Sequence, residues 1–452
     1  MKRVCFGALL LVIATACPKP ETNQPTQTTA TETTATTTAA NLQPPDCSLG
    51  SGCTGSACLT SITSAAATFP TVACPLHGES QGGVDIFSWN EFIALNWPAA
   101  NNCTADTGKS ILNITGGSTQ GPVVWQTLMS SDDVFVAPGT NPAQWCQGNS
   151  LAALFKNLPH VMRHVAKADP AAHKLGGMFA AIAEPTGVEA VGGVVTDQSG
   201  RWLRYEKYMN QSEYQEIVKN SWYRLAVLDS IPSLNLPDGS VEIKAAWKIL
   251  TQQEIAGNRY YTTVATVYNT PQGAPSPGPN PVTLGLVGLH IIQKTPQQSG
   301  FFWSTFEQVD NDKVFYNPSS NTAANTQTAK QPYMELDPDG KPHNIAVQIK
   351  RVNNIQASPA LNAYYQGLLG NSVFKYYQLI STQWQTGGAP QGTPANVANE
   401  VIETYVQSVS APFRPNQPKS PQVTGCLTCH LDAKAANKKT TTDHSFLFLE
   451  AK

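Results

Sequence analysis

Charge is scarce in this 452-residue chain: Asp, Glu, Lys and Arg together make up 13% of it, with a formal net charge of −2. That balance offers no basic patch for nucleic acid, so no nucleic-acid partner is expected. Beyond residue 17 no apolar run is long enough to span a bilayer, and no internal repeat is visible. A nucleophile elbow, a phosphate-binding loop and a zinc-protease helix are all missing, which removes the commonest hydrolase and nucleotide-binding chemistries. Thr, Gln, Asn, Gly and Pro stand where charge would be, and a hydrophobic content of 41% suffices for a real core. This composition suits an exported, loop-rich protein.

The first residues set the expected compartment. Lys2 and Arg3 form a positive n-region, and Phe6 to Ala14 is apolar but too short to cross a membrane. Ala14-Thr15-Ala16 satisfies the small-x-small rule for cleavage, giving a signal peptide over 1–16. Ile13-Ala14-Thr15-Ala16-Cys17 also resembles a bacterial lipobox, with Cys17 acylated, although Leu is usual where Ala14 stands. Cysteine parity bears on the choice. Of ten cysteines, Cys5 leaves with the signal and two belong to the C-terminal motif described below, so seven remain. Lipidating Cys17 leaves Cys47, Cys53, Cys58, Cys74, Cys103 and Cys146, an even set for an oxidising compartment. The sequence leaves the pairing open; one arrangement joins Cys103 to Cys146, with two bridges among the other four. Residues 17–46 then read as a lipidated cysteine and a disordered Thr/Pro-rich tether, with a coil reach of about 30 Å. The expected location is the periplasm, with the chain anchored to a membrane through its N-terminal lipid.

The body, expected over 47–415, mixes helix and strand signals. Phe87 to Trp97 reads as a helix rich in aromatic core residues, and 150–183 as helical with breaks at Pro159 and Pro170. Gly193–Thr196 and Trp202–Glu206 flank a turn and suggest a hairpin. Val241 to Lys248 alternates with period two, placing Val241, Ile243, Ala245 and Trp247 on one face. Tyr260–Tyr268, Val282–Thr295 and Phe301–Val309 continue a largely antiparallel sheet. Ser358-Pro359 opens a helix bearing Leu361, Tyr364, Tyr365, Leu368 and Leu369, and a second is expected through Phe374, Tyr377, Leu379 and Ile380. Thr393-Pro394 then caps a stripe of Val397, Val401, Tyr405 and Val409. The expected class is α+β, a largely antiparallel sheet with flanking helices and disulfide-bearing N-terminal loops.

Chemistry enters at Cys426-Leu427-Thr428-Cys429-His430. Two thiols three positions apart can form thioethers with the two vinyl groups on one porphyrin edge, and the next residue then lies under the iron. The segment 416–452 is thus expected to bind one covalent haem c through Cys426 and Cys429, with His430 as proximal ligand. A dithiol redox pair lacks its strand–helix context here, and a zinc site using Cys426, Cys429 and His444 sits poorly with export. Only 22 residues follow His430 and none is Met, so a distal ligand must be His444 or come from the body. His290 is the candidate distal iron ligand. It is expected to share a strand face with Leu284, Leu286, Gly288 and Ile292, where Gly285 and Gly288 would let a flat group approach. The bland reading of His290 is a hydrogen-bonded core histidine.

Other candidates are weaker. His160 and His164 would share a helix face but lack a third ligand. Met178 reads as an ordinary core residue. Glu307 and Asp310 could act as acid and base, but a strand ending in a capped turn is the favoured reading.

Several runs together resemble a family of uncharacterised bacterial secreted mono-haem cytochrome c-type proteins. They are Phe92 to Pro98, Gly239 to Trp247, Gly285 to Thr295, Phe302 to Asn311, Gln383-Trp384, Glu403-Thr404-Tyr405, the haem motif and Ser445-Phe446-Leu447. The family pattern carries His where Gln293 and Gln308 stand here, and keeps His290. The resemblance spans roughly 85 to 450, implying that body and haem segment are one unit. It implies haem binding and electron transfer, with the redox partner unspecified. Against a pure carrier stands the size of the body, since a domain of ~100 residues can hold one haem. The alternative is a haem-dependent oxidoreductase with an open iron site or a body-lined active site. A binding module without redox chemistry is the third reading.

Overall fold

Alternation of side chains builds the centre of this protein, a nine-stranded, mostly antiparallel sheet. The computed structural model describes residues 58–70, 81–117, 121–148, 151–156, 158–162, 195–197, 201–267, 281–296, 300–312, 333–335, 347–348, 359–386, 389–391, 399, 401–402, 427, 430–431 and 433–452. The strands are β1 (Met129–Ser130), β2 (His160–Met162), β3 (Val195–Asp197), β4 (Arg204–Met209), β5 (Val241–Ile249) and β6 (Thr262–Val267). They continue with β7 (Val282–Lys294), β8 (Phe301–Gln308), β9 (Tyr333–Glu335), β10 (Val347–Gln348), β11 (Tyr377–Thr386) and β12 (Ala389–Gln391). The longer described helices are α1 (Gln81–Leu95), α2 (Gln211–Lys219) and α3 (Pro359–Leu369).

The main sheet runs β1-β4-β5-β7-β8-β11-β12, with β6 on β7 and β2 on β6, the last pair parallel. Strand β7 is long enough to serve two partners on one edge: Val282–Gly285 pair with β6 and Gly288–Lys294 with β8. Between them the register against β5 skips Val287, because Ala246 faces Gly288 while Trp247 faces Leu286. This bulge puts an extra residue in β7 and bends the strand.

One face of the sheet carries α1 and α3. Helix α1 is buried nearly all round, which fits a core helix better than an amphipathic surface one. Trp89 stacks on Tyr365 of α3 with rings 5.1 Å apart, and Phe92 stacks on Phe306 at 4.3 Å. The expected face of β5 is correct: Val241, Ile243, Ala245 and Trp247 all join this core. The opposite face receives α2 and the C-terminal residues. There Ile292, Phe301 and Trp303 pack with Met209, Ile217, Leu427, Ala435, Leu447, Phe448 and Ala451. The chain is α+β with a largely antiparallel sheet, as its sequence implies. Cys103 and Cys146 do form a disulfide, their Cα atoms 5.9 Å apart. Cys58 is also disulfide-bonded.

Four expectations change. Within 150–183 the described residues hold a helix only at Leu151–Phe155, and His160 stands in β2, paired with Ala265. The shared helix face with His164 is therefore lost; His164 and Met178 lie outside the described residues. Tyr377 and Leu379 face the main core from a strand, preceded by one 3-10 turn at Val373–Tyr376, so no helix runs through Ile380. A short apolar run fits either period, and here the free edge of β8 decides. The 193–206 hairpin keeps its turn, with Leu203 N donating to Val195 O, but its arms diverge: β3 pairs with β9 and β4 with β5. Finally, the bulge at Val287 puts Leu284 and Leu286 with the α1 core, away from Gly288, His290 and Ile292. Within Val397 to Val409 only Asn399, Val401 and Ile402 are described, all three buried. Cys17 and the tether lie outside the described residues.

Candidate functional site

The second face of the sheet has an unusual composition. A rung of directly paired residues crosses five strands there: Lys207, Lys244, His290, Thr305 and Ser381. One step along runs a second rung, Met209, Glu242, Ile292, Trp303 and Gln383. Sheet interiors at such depth are usually apolar, yet His290, Thr305 and Ser381 are each less than 5% exposed. Among the described residues no hydrogen-bond partner serves Trp303 Nε1, Thr305 Oγ1 or Ser381 Oγ, although buried donors are normally satisfied.

The C-terminal segment lies against this face. Leu427 and His430 are in a helical turn, with Leu431 N donating to Leu427 O at 2.8 Å. The His430 ring is flanked by Trp303 at 5.2 Å and Phe446 at 4.7 Å. Its Nδ1 lies 2.7 Å from the backbone oxygen of His444. A carbonyl can only accept, so Nδ1 carries the hydrogen and Nε2 the lone pair. That arrangement is the one iron needs from a histidine: the second ring nitrogen, tied to backbone, fixes both tautomer and ring orientation.

Asp443 and His444 hold that carbonyl in place. Both adopt left-handed backbone, φ 49° and 71°, which is costly for residues other than glycine. The Asp443 carboxylate restrains this turn by accepting from Leu236 N at 2.8 Å and Lys294 Nζ at 2.5 Å. Burial pushes the Asp443 carboxyl up, but the His444 ring 3.6 Å away and the hydrogen-bonded Lys294 outweigh it and leave it below its ordinary range. Upstream, Thr440 Oγ1 donates to Leu228 O at 2.6 Å, and Thr441 bridges to Ser233. Lys207 of the polar rung pairs with Glu450.

The site residues expected from sequence are thus partly brought together. His430 and His290 face the same side of one sheet, since Trp303, which packs on His430, is the diagonal neighbour of His290. Cys426 and Cys429 lie outside the described residues. His444 contributes its backbone carbonyl, with its ring 6.0 Å from Trp303. The two glycines do not receive a flat group: a Cβ on Gly288 would lie 2.6 Å from Val401, and one on Gly285 2.7 Å from Leu250. Those clefts are filled by the chain's own side chains. Asp310 is held by two 2.8 Å bonds from Arg259, which commits it to an ion pair rather than acid–base work with Glu307. Among the described residues no three His, Cys, Asp or Glu side chains converge as a metal cluster. Sequence reasoning missed Trp303, Phe446 and Asp443. Two of these stand in the runs quoted for the resemblance, but nothing there assigns them a role.

No family model matches this chain, and neither a curated protein nor a solved structure is significantly similar to it.

Proposed function

We propose that this chain is an exported c-type haem protein that transfers electrons through one covalently bound haem. Cys426 and Cys429 would hold the porphyrin by thioethers and His430 Nε2 would ligate the iron; the haem supplies a one-electron couple. The observation that carries this reading is the hydrogen bond from His430 Nδ1 to the His444 carbonyl within a Cys-x-x-Cys-His sequence. Donation from the second ring nitrogen to a backbone carbonyl is the arrangement by which a ligating histidine is held in its tautomer and orientation. His290 is the proposed distal ligand, being a histidine on the sheet face to which the His430 segment docks. Export, lipidation at Cys17 and a membrane-attached, periplasmic location complete the proposal.

Expression of the full chain with a haem-maturation system tests it. The expected product carries haem after denaturation in acid and gives a low-spin spectrum that carbon monoxide leaves unchanged. A chain that emerges without covalent haem overturns the reading. In His290→Ala a high-spin, ligand-binding iron is expected; an unchanged spectrum removes His290 as ligand. Cys17→Ser should release the protein from the membrane fraction.

One observation favours a second reading, a haem-dependent oxidoreductase. Trp303 Nε1, Thr305 Oγ1 and Ser381 Oγ are buried donors on this same face with no described partner, as a small hydrogen-bond-accepting substrate would require. Binding of carbon monoxide or azide by the wild-type protein would select it over the carrier.

A further inference from the structure

Two carboxyl groups with no use in the haem reading face each other beside the haem-binding segment. Glu213 comes from α2 and is fully buried; Glu242 comes from β5 and is 6% exposed. They lie within hydrogen-bonding reach of one another. Among the described residues no fixed donor serves either oxygen of Glu213 or Oε1 of Glu242. Two bare carboxylates can only accept, so the pair is stable in the core only with a proton between them. The groups around them do not supply that charge. Asp443 adds repulsion while itself bonded to Lys294, and Lys207 is paired with Glu450. Burial raises Glu213 well above the ordinary carboxyl range, and Glu242 rises to about 7 through burial, opposed by Ser445 and Glu213.

The pair is connected to the proposed haem ligand. Ser445 lies beside the Glu242 carboxyl and works against its rise, and the residue before it, His444, holds His430 through its carbonyl. Glu242, Ile292 and Trp303 are also successive members of one rung, with Trp303 against His430. Two strand spacings put the Glu242 backbone about 10 Å from that of Trp303.

We propose that the Glu213–Glu242 pair is a proton-binding site coupled to the redox state of the haem, making electron transfer proton-linked. The inference rests on the haem reading above. As one electron arrives from an external one-electron donor, the Glu242 carboxylate takes one proton from solvent; oxidation reverses both, and no other bond changes. The physical reason is charge balance. One unit of positive charge beyond Trp303, at a separation on the order of 10–15 Å in a medium of effective dielectric ~20, changes a carboxyl's proton affinity on the order of tenfold. Losing that charge on reduction makes Glu242 the better base.

Potentiometric titration of the full-length holoprotein between about pH 5 and about pH 9 tests this. The midpoint should fall by a total of about 59 mV, tenfold in the reduction equilibrium, as pH rises through neutrality. Glu242→Gln should remove the step. A wild-type midpoint that is flat with pH overturns the proposal, and so does a step that survives in Glu242→Gln, which would assign the proton elsewhere. The wild-type protein gives a second readout that needs no variant. The reduced-minus-oxidised infrared difference at neutral pH should show a protonated carboxyl appearing on reduction, and its absence also overturns the proposal. A chain lacking covalent haem fails the earlier reading instead; a haem-bearing chain with a flat midpoint fails only this one.

Discussion

Single residues in this protein are placed by the partners their polar atoms require. His430 is the clearest case, because one bond to a backbone carbonyl decides which nitrogen is available to a metal. Asp443 is its support. Replacing Asp443 with Ala would leave Lys294 buried without its counter-charge and release a turn of two left-handed residues. The expected cost is about 3–5 kcal/mol in denaturant unfolding, the range for breaking a buried ion pair. Asn, which retains one acceptor oxygen, should recover part of it. Glu91 makes a different prediction. It is fully buried on α1, with only the Ser304 hydroxyl for support among the described residues, and burial raises its carboxyl well above the usual value. A group raised in the folded state favours folding below its unfolded titration point and loses that contribution as pH rises through the folded one. Glu91→Gln should therefore gain stability relative to wild type at about pH 9 and show little gain at about pH 4. Chemical denaturation at the two pH values reads this, and a difference of the opposite sign would contradict it.

At the scale of elements the decisive feature is the bulge in β7. It switches the alternation of one strand between Leu286 and Gly288, so apolar residues on one side of it and His290 on the other can face opposite layers. Its glycines serve close packing. In Gly288→Ala the new methyl would meet Val401 Cγ2 at 2.6 Å and Asn399 at about van der Waals contact or less, and Asn399 itself bonds Phe306 O. A loss of about 1–3 kcal/mol is expected from overpacking, measured as a fall in melting temperature, with haem content unchanged. Val401 and Ile402 belong to that contact, so the effect would also report that this part of the chain closes over the sheet.

The whole molecule does not divide where its composition does. Sequence reading sets a body over 47–415 and a haem segment over 416–452, but residues 433–452 share a core with the body. Ala435, Leu447, Phe448 and Ala451 are buried beside Met129, Phe135, Ile217 and Leu228, and Lys452 N donates to Tyr223 O. Removing residues 416–452 should expose that core and abolish cooperative unfolding, rather than leave a folded body without haem. A truncated chain with a sharp two-state transition near the wild-type midpoint would refute it. This shared core is also how the body could act on the proposed haem: Trp303, Lys207 and Glu242 reach the segment from three different strands.

Local information in the sequence determined a good deal. Period-two runs revealed β5, β6, β7 and β8, aromatic density revealed α1, and loop cysteines suggested the Cys103–Cys146 bridge. The spacing in Cys426 to His430 named a covalent haem as the expected cofactor, because that chemistry needs only five consecutive residues. What depends on distant partners was not legible. Tyr377 to Thr386 is a strand because β8 offers an edge 70 residues earlier in the chain, and His160 is in a strand because β6 lies beside it. The face of His290 turned on one unpaired residue, Val287, whose bulge exists only in relation to β5. Likewise the Glu213–Glu242 pair joins a helix to a strand, and it is their burial, with three of the four carboxyl oxygens unserved among the described residues, that suggests a place for a proton. Covalent motifs and side-chain periods are local and survive in one dimension. Strand register, burial and the meeting of charges are set by which surfaces exclude water together, and that is decided only by the fold.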